Sequence, residues 1–215
     1  MQGIYDDLEW LGFDWPTPVR VQSEHMEDYA EVAARLRTLG VLYPCELSRR
    51  EVAARTVDGV FRGEASGGED APWRISIPRA AELTGALTYV DNGERREVDF
   101  AGLSDDILLR RDIGTSYTLA VTHDDALQSI THVVRGADLR ETTPLQRVVQ
   151  ALMGWPEVAY VHHGLVMDAG RKLSKRDGDA SLRALRAAGV SAAEVWGMVE
   201  RRGSSSRLSG SADVD

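Results

Sequence analysis

From Ile107 onward, apolar runs too short for helices alternate with segments that carry an apolar stripe at helical spacing. The short runs are Ile107 to Leu109, Tyr117 to Val121, His132 to Val134 and Tyr160 to Met167. Runs this apolar fit strands covered on both faces, as in a parallel sheet. Between the last two, Thr143-Pro144 opens a segment with Leu145, Val148, Val149 and Leu152 on one side through Met153. Proline in a first turn and that spacing predict a helix. Strand, helix, strand, loop and helix predict a doubly wound α/β sheet, where ligands sit at the carboxyl ends of strands.

The first hundred residues read differently. Tyr5, Leu8 and Leu11 fit a short helix that stops at Gly12. Ser23 is the expected cap of a longer one, with Tyr29, Val32, Ala33, Leu36 and Leu39 buried and Gly40 at its end. Val41 to Tyr43 reads as a short strand, and Ser48 with Glu51 has capping-box spacing. Residues 56–70 turn to Gly, Asp, Ser and Glu, the composition of a loop. Strands are expected at Trp73 to Ile77, Ala86 to Val90 and Arg95 to Phe100, with Asp91-Asn92-Gly93 as a hairpin turn. This gives a nucleotide-binding domain from 1–42 and 101–202, a small α+β subdomain inserted at 43–100, and a Ser/Gly-rich tail at 203–215 expected to be disordered.

A formal charge of -9 argues against a protein that coats nucleic acid by bulk electrostatics, while leaving room for a local basic face. One such face is legible. Residues 171–186 hold Arg171, Lys172, Lys175, Arg176, Arg183 and Arg186 against only Asp177 and Asp179. Lys172 and Lys175, separated by Leu173-Ser174 between Gly170 and Gly178, could reach a polyphosphate; a solvated turn is the plainer reading. The single Cys45 permits no internal disulfide, and no run approaches the roughly 18 apolar residues of a membrane span. A cytoplasmic protein without membrane contact, and a monomer, is the expectation.

A second constellation joins Tyr117, Asp124-Asp125, the run His132 to Leu139, Thr143 and Gln146. A tyrosine hydroxyl and the Arg135 guanidinium at neighbouring strand ends could grip a small substrate bearing a carboxylate or an ammonium group. On spacing alone the plainer reading is that Tyr117 is a core residue and Arg135 the ion-pair partner of Asp138 or Asp124. Asp124 and Asp125 could form a metal or acid–base pair, although capping a turn before Ala126 is the simpler use. The five tryptophans are scattered, which suits packing better than base stacking.

Four strings, Tyr117-Thr-Leu-Ala-Val-Thr-His-Asp-Asp125, Thr131-His-Val-Val-Arg-Gly-Ala-Asp-Leu139, Thr143-Pro-Leu-Gln146 and Lys172-Leu-Ser-Lys-Arg176, resemble the class I glutamyl-tRNA synthetase superfamily. The chain is most similar to its short branch, the glutamyl-Q tRNA(Asp) synthetases, which glutamylate queuosine in the anticodon of tRNA(Asp). Asp6 to Trp15, Leu42 to Cys45 and Arg49-Arg50-Glu51 extend the likeness, which runs from about residue 2 to 186 in the family's order. The resemblance implies a Rossmann-like class I aminoacyl-tRNA synthetase catalytic domain. It implies that Tyr117 and Arg135 bind L-glutamate, that Lys172, Ser174 and Lys175 of a KMSKS-like loop bind ATP, and that Lys175 is catalytic. ATP would arrive with Mg²⁺ held mainly by its phosphates, and glutamyl-adenylate would pass its glutamyl group to tRNA. Arg135-Gly-Ala-Asp-Leu139 and the roughly 40 residues after Lys175 favour the short branch over tRNA-charging relatives.

Two departures qualify that expectation. Relatives place a strand, a HIGH-type helix and an acidic segment before the stretch that here starts at Asp6. No His-x-Gly-His pattern occurs, and His162-His163-Gly164 lies in the wrong element. The expectation is therefore an N-terminally truncated catalytic domain of impaired activity, through a start codon assigned downstream or a degenerate paralogue. Many of the short enzymes also hold zinc in the insertion through Cys-x-Cys and a later Tyr and Cys. Here Cys45 is followed by Leu47, with Phe61 and Ala65 at the later positions. One thiolate cannot build a tetrahedral site, so no zinc is expected. A glutamyl-tRNA synthetase catalytic fragment and a non-catalytic paralogue that keeps tRNA or glutamate affinity stand as alternatives.

Overall fold

The computed structural model describes residues 2–165, 167–168, 171–172 and 181–207. Two compact units divide the chain, one of residues 20–163 and one drawn from 1–19 and from 164 onward.

In the larger unit, helix α2 (Met26–Thr38) buries Tyr29, Val32, Ala33 and Leu36. Leu39, expected on that face, is exposed at the helix end. Ser23 does not cap it: Ser23 lies in a single 3-10 turn, Gln22–Glu24, and His25 is the residue before the helix. Strand β1 (Leu42–Pro44) pairs antiparallel with β2 (Trp73–Ile75), and β2 with β5 (Ile107–Leu109). Helix α3 (Arg49–Arg55) starts with the capping box of Ser48 and Glu51.

The strand expected from Trp73 to Ile77 is shorter, because Ser76 accepts a hydrogen bond from the Arg79 amide and starts α4 (Ile77–Thr84) with Pro78 in its first turn. The β5 segment was expected among the parallel strands. It is antiparallel because residues just before it are tied to β2: the Ile75 amide donates to Asp106 O at 3.0 Å and Arg74 Nη1 to Asp105 O at 2.8 Å.

The second sheet has the order β4-β3-β7-β6. Strands β3 (Thr88–Asp91) and β4 (Glu94–Glu97) form the hairpin expected around Asn92-Gly93, both at positive φ. Strand β3 also pairs in parallel with β7 (Ala159–His163), and β7 with β6 (His132–Gly136). The hairpin placed by the sequence in a small sheet of its own is thus hydrogen-bonded to the later parallel strands. Helix α6 (Thr143–Met153) packs with α4 and with α5 (Tyr117–Leu127), burying Leu145, Val148, Val149 and Met153. Such aliphatic burial contributes about 1.5–3 kcal/mol per side chain.

Helix α5 corrects the strand expected at Tyr117 to Val121. The Ser116 hydroxyl accepts a hydrogen bond from the Leu119 amide at 3.2 Å, filling a donor that a helix end leaves open. Leu119, Ala120, Thr122 and Asp124 are its buried residues, and tertiary packing overrides the β-propensity of the run. The Asp124 side chain caps no helix or turn among the described residues. It accepts from Arg20 Nε (2.9 Å), Gln22 Nε2 (3.0 Å) and the Tyr29 hydroxyl (2.9 Å), joining α5 to α2 and the segment before it. Burial alone would push its carboxyl up, yet the hydrogen bonds from Gln22, His123, Tyr29 and Arg20 hold it below the usual range.

In the smaller unit, α1 (Gln2–Trp10) meets α7 (Leu182–Ala187), which Ser181 caps. Arg186 donates to Asp6 O at 2.8 Å and pairs with Asp7 at 3.3 Å. Gly3 leaves room for Arg183, whose Nη2 would lie 1.9 Å from any Cβ there. Helix α8 (Ala192–Arg207) carries backbone helix past residue 203, where the sequence predicted a disordered tail. Its Trp196 packs on Phe13 with ring centroids 5.6 Å apart and donates to Leu11 O, a packing role as expected. Strands β8 (Met167–Asp168) and β9 (Arg171–Lys172) form a two-stranded ladder, so the last predicted strand ends at His163 and Met167 belongs to a separate pair.

Candidate active site

Arg135 is the anchor of the site. It sits near the carboxyl end of β6 with only 9% of its surface exposed. Directly across, at its register partner on β7, is His162. Arg135 Nε donates to His162 Nε2 at 3.1 Å, and Nη2 donates to the Thr143 hydroxyl at 2.7 Å. The guanidinium lies over the Tyr160 ring, 4.9 Å from its centroid, a cation–π contact. Neither Asp138 nor Asp124, the ion-pair partners considered from sequence, touches it in a salt bridge among the described residues.

Behind this arginine is a buried acid. His162 Nδ1 is 2.7 Å from Asp91 Oδ1, and both side chains are fully buried. Asp91 Oδ2 faces Arg140 Nε at 3.2 Å and Arg96 Nε at 3.5 Å. Asn92 fastens the hairpin turn to β7, accepting from the His162 amide at 2.6 Å and donating to its carbonyl at 3.2 Å. Two guanidinium groups, Arg96 and Arg140, therefore face one fully buried carboxylate, Arg96 being paired with Glu94 as well, and Arg135 reaches that carboxylate only through His162. Arg135 itself has no salt bridge among the described residues, and an anion is the ligand that such a guanidinium suits.

The sequence missed Asp91, Asn92 and His162. Their signal was strand register: a histidine two residues beyond Tyr160 shares its face of β7. Tyr160 and His162 rings are parallel within 5°, with centroids 6.1 Å apart.

Tyr117 is the first residue of α5 and is half-exposed, so it is not the core residue considered as an alternative. No hydrogen bond among the described residues joins it to Arg135. Gln146 is 2% exposed, and neither atom of its amide has a hydrogen-bond partner among the described residues. Lys172 lies in β9, while Ser174 and Lys175 fall outside the described residues. Cys45 is a free, buried thiol, and no three His, Cys, Asp or Glu side chains are placed to hold a metal among the described residues. A cleft of about 540 Å³ rimmed by Glu97, Asp99, Asp106 and Glu141 has the wrong sign for an acidic substrate.

Asp125, on the same helix as Tyr117, feels the Arg135 charge. Burial pushes its carboxyl from 3.8 up to about 6, Arg135 pulling it down and Asp124 pushing it further up. The folded state thus holds this proton more tightly than the unfolded chain. The resulting stabilisation is complete below the ordinary carboxylate value and is lost as pH rises through about 6. Asp125→Asn is expected to raise stability at about pH 8 by ~1 kcal/mol, a figure reduced for solvent screening, and to change little at about pH 4. Urea unfolding at both values checks this; an equal gain at both would place the benefit outside the carboxyl charge.

Residues 65–210 match the family described as tRNA synthetases class I (E and Q), catalytic domain. The chain belongs to this family. It is 36% identical over 221 residues to a glutamyl-Q tRNA(Asp) synthetase of Rhodobacter capsulatus, covering 89% of this chain and 78% of that one. A glutamate–tRNA ligase of Paracoccus denitrificans is 34% identical, covering 94% of this chain and 49% of that one. The solved glutamate–tRNA synthetase of Elizabethkingia anophelis superposes with a TM-score of 0.63 at 25% identity, covering 83% of this chain and 43% of that one. The chain thus spans under half of the ligase and of the solved structure. Its mixed sheet, with parallel β3, β7 and β6, is that of a class I synthetase catalytic domain, and no described helix is long and apolar enough to cross a membrane.

Proposed function

We propose that this family member activates glutamate with ATP and transfers it to queuosine in the anticodon of tRNA(Asp). The observation that carries the reading is Arg135, a buried guanidinium held at a strand end by His162, Thr143 and the face of Tyr160. A small acidic substrate is what this arrangement suits. Tyr117, at the start of α5, adds a hydroxyl, and Lys172, Ser174 and Lys175 contribute the ATP-phosphate loop. In this scheme the glutamate carboxylate attacks the α-phosphate of ATP, pyrophosphate leaves, and a nucleoside hydroxyl then takes the glutamyl group and releases AMP. The protein contributes position and charge, with no covalent enzyme intermediate. We propose further that the protein acts as a monomer, and that pyrophosphate exchange by these 215 residues alone is weak beside that of a form extended by a HIGH-bearing strand and helix.

The test is transfer of labelled glutamate to tRNA(Asp) with and without queuosine. Label is expected only on the modified tRNA. A second reading rests on the glutamate–tRNA ligase relatives, of which the chain matches the catalytic region. Label at the 3′ end of tRNA(Glu) would establish that reading and overturn the first.

A further inference from the structure

We infer that His162, oriented by Asp91, is a positioning residue that sets the Arg135 guanidinium for its ligand. The inference rests on the proposal that Arg135 binds the glutamate carboxylate, and its chemistry begins with the direction of the hydrogen bonds. Arg135 Nε can only donate, so at 3.1 Å His162 Nε2 must accept. The imidazole proton then sits on Nδ1. Asp91 Oδ1, at 2.7 Å, accepts it. A proton on Nε2 instead would set donor against donor at Arg135 and lone pair against lone pair at Asp91. The Asp91 carboxylate therefore selects the one tautomer that can hold the arginine.

Thr143 completes the clamp. Its hydroxyl accepts from Arg135 Nη2 at 2.7 Å and lies 3.3 Å from His162 Nε2, so its own proton can turn toward the imidazole. Thr143, His162 and Asp91 are all 5% exposed or less, which keeps competing water away from these bonds. Nε and Nη2 are engaged and the face is laid on Tyr160, three contacts that together fix the plane of the guanidinium. Its Nη1 donors have no partner among the described residues and are available to an incoming carboxylate. Ordering a side chain before the ligand arrives removes a cost that binding would otherwise carry. The groups around the pair are Asp91 on β3 with Arg96 of β4 and Arg140 beside it, Arg135 on β6, Tyr160 with His162 on β7, and Asp125 on α5, which feels the Arg135 charge. None of these supplies a second acceptor to Arg135 Nε.

Two amide substitutions separate positioning from packing. His162→Asn places an amide where Nδ1 stood, keeping a donor for Asp91 but removing the acceptor for Arg135. His162→Gln reaches the Nε2 position with an acceptor oxygen. In the 215-residue protein, the Arg135 Nε–H proton, identified by its absence in Arg135→Lys, is expected to exchange slowly with solvent. That protection should vanish in His162→Asn and return in His162→Gln, while the backbone amide spectrum stays folded. Calorimetric titration with L-glutamate should show binding weakened about tenfold or more in His162→Asn and largely restored in His162→Gln, the effect of one hydrogen bond to a charged group. ATP affinity should be unchanged in both. An Arg135 signal, or a glutamate affinity, that ignores the Asn substitution overturns the inference. Loss of both readouts in the Asn and Gln variants alike would reduce His162 to a packing residue and overturn it as well. Glutamate binding that survives Arg135→Ala sinks the underlying reading instead, and leaves the proton-exchange result to decide the positioning role.

Discussion

Arg135→Ala is expected to weaken L-glutamate binding about 100-fold or more, the loss of a paired, charge-assisted contact in a site shielded from water. Arg135→Lys should fare little better. A lysine ammonium cannot reach the His162 and Thr143 acceptors together, nor lie flat on Tyr160, so the charge would persist without its orientation. Arg135→Ala removes a buried positive charge from beside Asp125 and Arg135→Lys displaces it, so thermal unfolding must be followed alongside binding. The expected pattern is a folded protein, normal ATP affinity and a lost response to glutamate. Wild-type glutamate affinity in Arg135→Ala would remove this arginine from the substrate site.

How far the sequence foretold this site depends on the kind of signal. The strand that carries Arg135 was legible as an apolar run and survives in the fold as β6, while a glutamate role for Arg135 came only through the family resemblance. Helix α6 was legible from Pro144 and the spacing of Leu145, Val148 and Val149, and α3 from its capping box. These are local signals, satisfied within one turn or one strand. Helix α5 was misread because Tyr117-Thr-Leu-Ala-Val121 has the composition of a strand; only the Ser116 cap and the burial of Asp124 against Arg20 and Tyr29 decide the matter. Those partners lie far back in the chain. Asp91 and His162 escaped for the same reason: one closes a hairpin, the other sits on β7, and only the parallel pairing of β3 with β7 joins them. Non-local register is where the reading of a single sequence stops.

The second large effect concerns the other half of the reaction. Lys175→Ala is expected to slow glutamate-dependent pyrophosphate exchange about 10²-fold, measured in a form extended by a HIGH-bearing segment. As the carboxylate attacks the α-phosphate, negative charge accumulates on the transferring group and the departing pyrophosphate. An ammonium on a flexible stem binds those oxygens more tightly in the transition state than in bound ATP. The loss should therefore fall on kcat, with KM for glutamate nearly unchanged, whereas Arg135→Ala should act through KM for glutamate. Lys172→Ala should cost less, because a lysine that touches phosphates equally before and during transfer contributes to binding alone. Each variant thus loses a different kinetic constant, and the double variant should lose both nearly independently. If Lys175→Ala instead raised KM for glutamate at constant kcat, the lysine would belong with Arg135 as a substrate contact, and its role at the α-phosphate would be wrong.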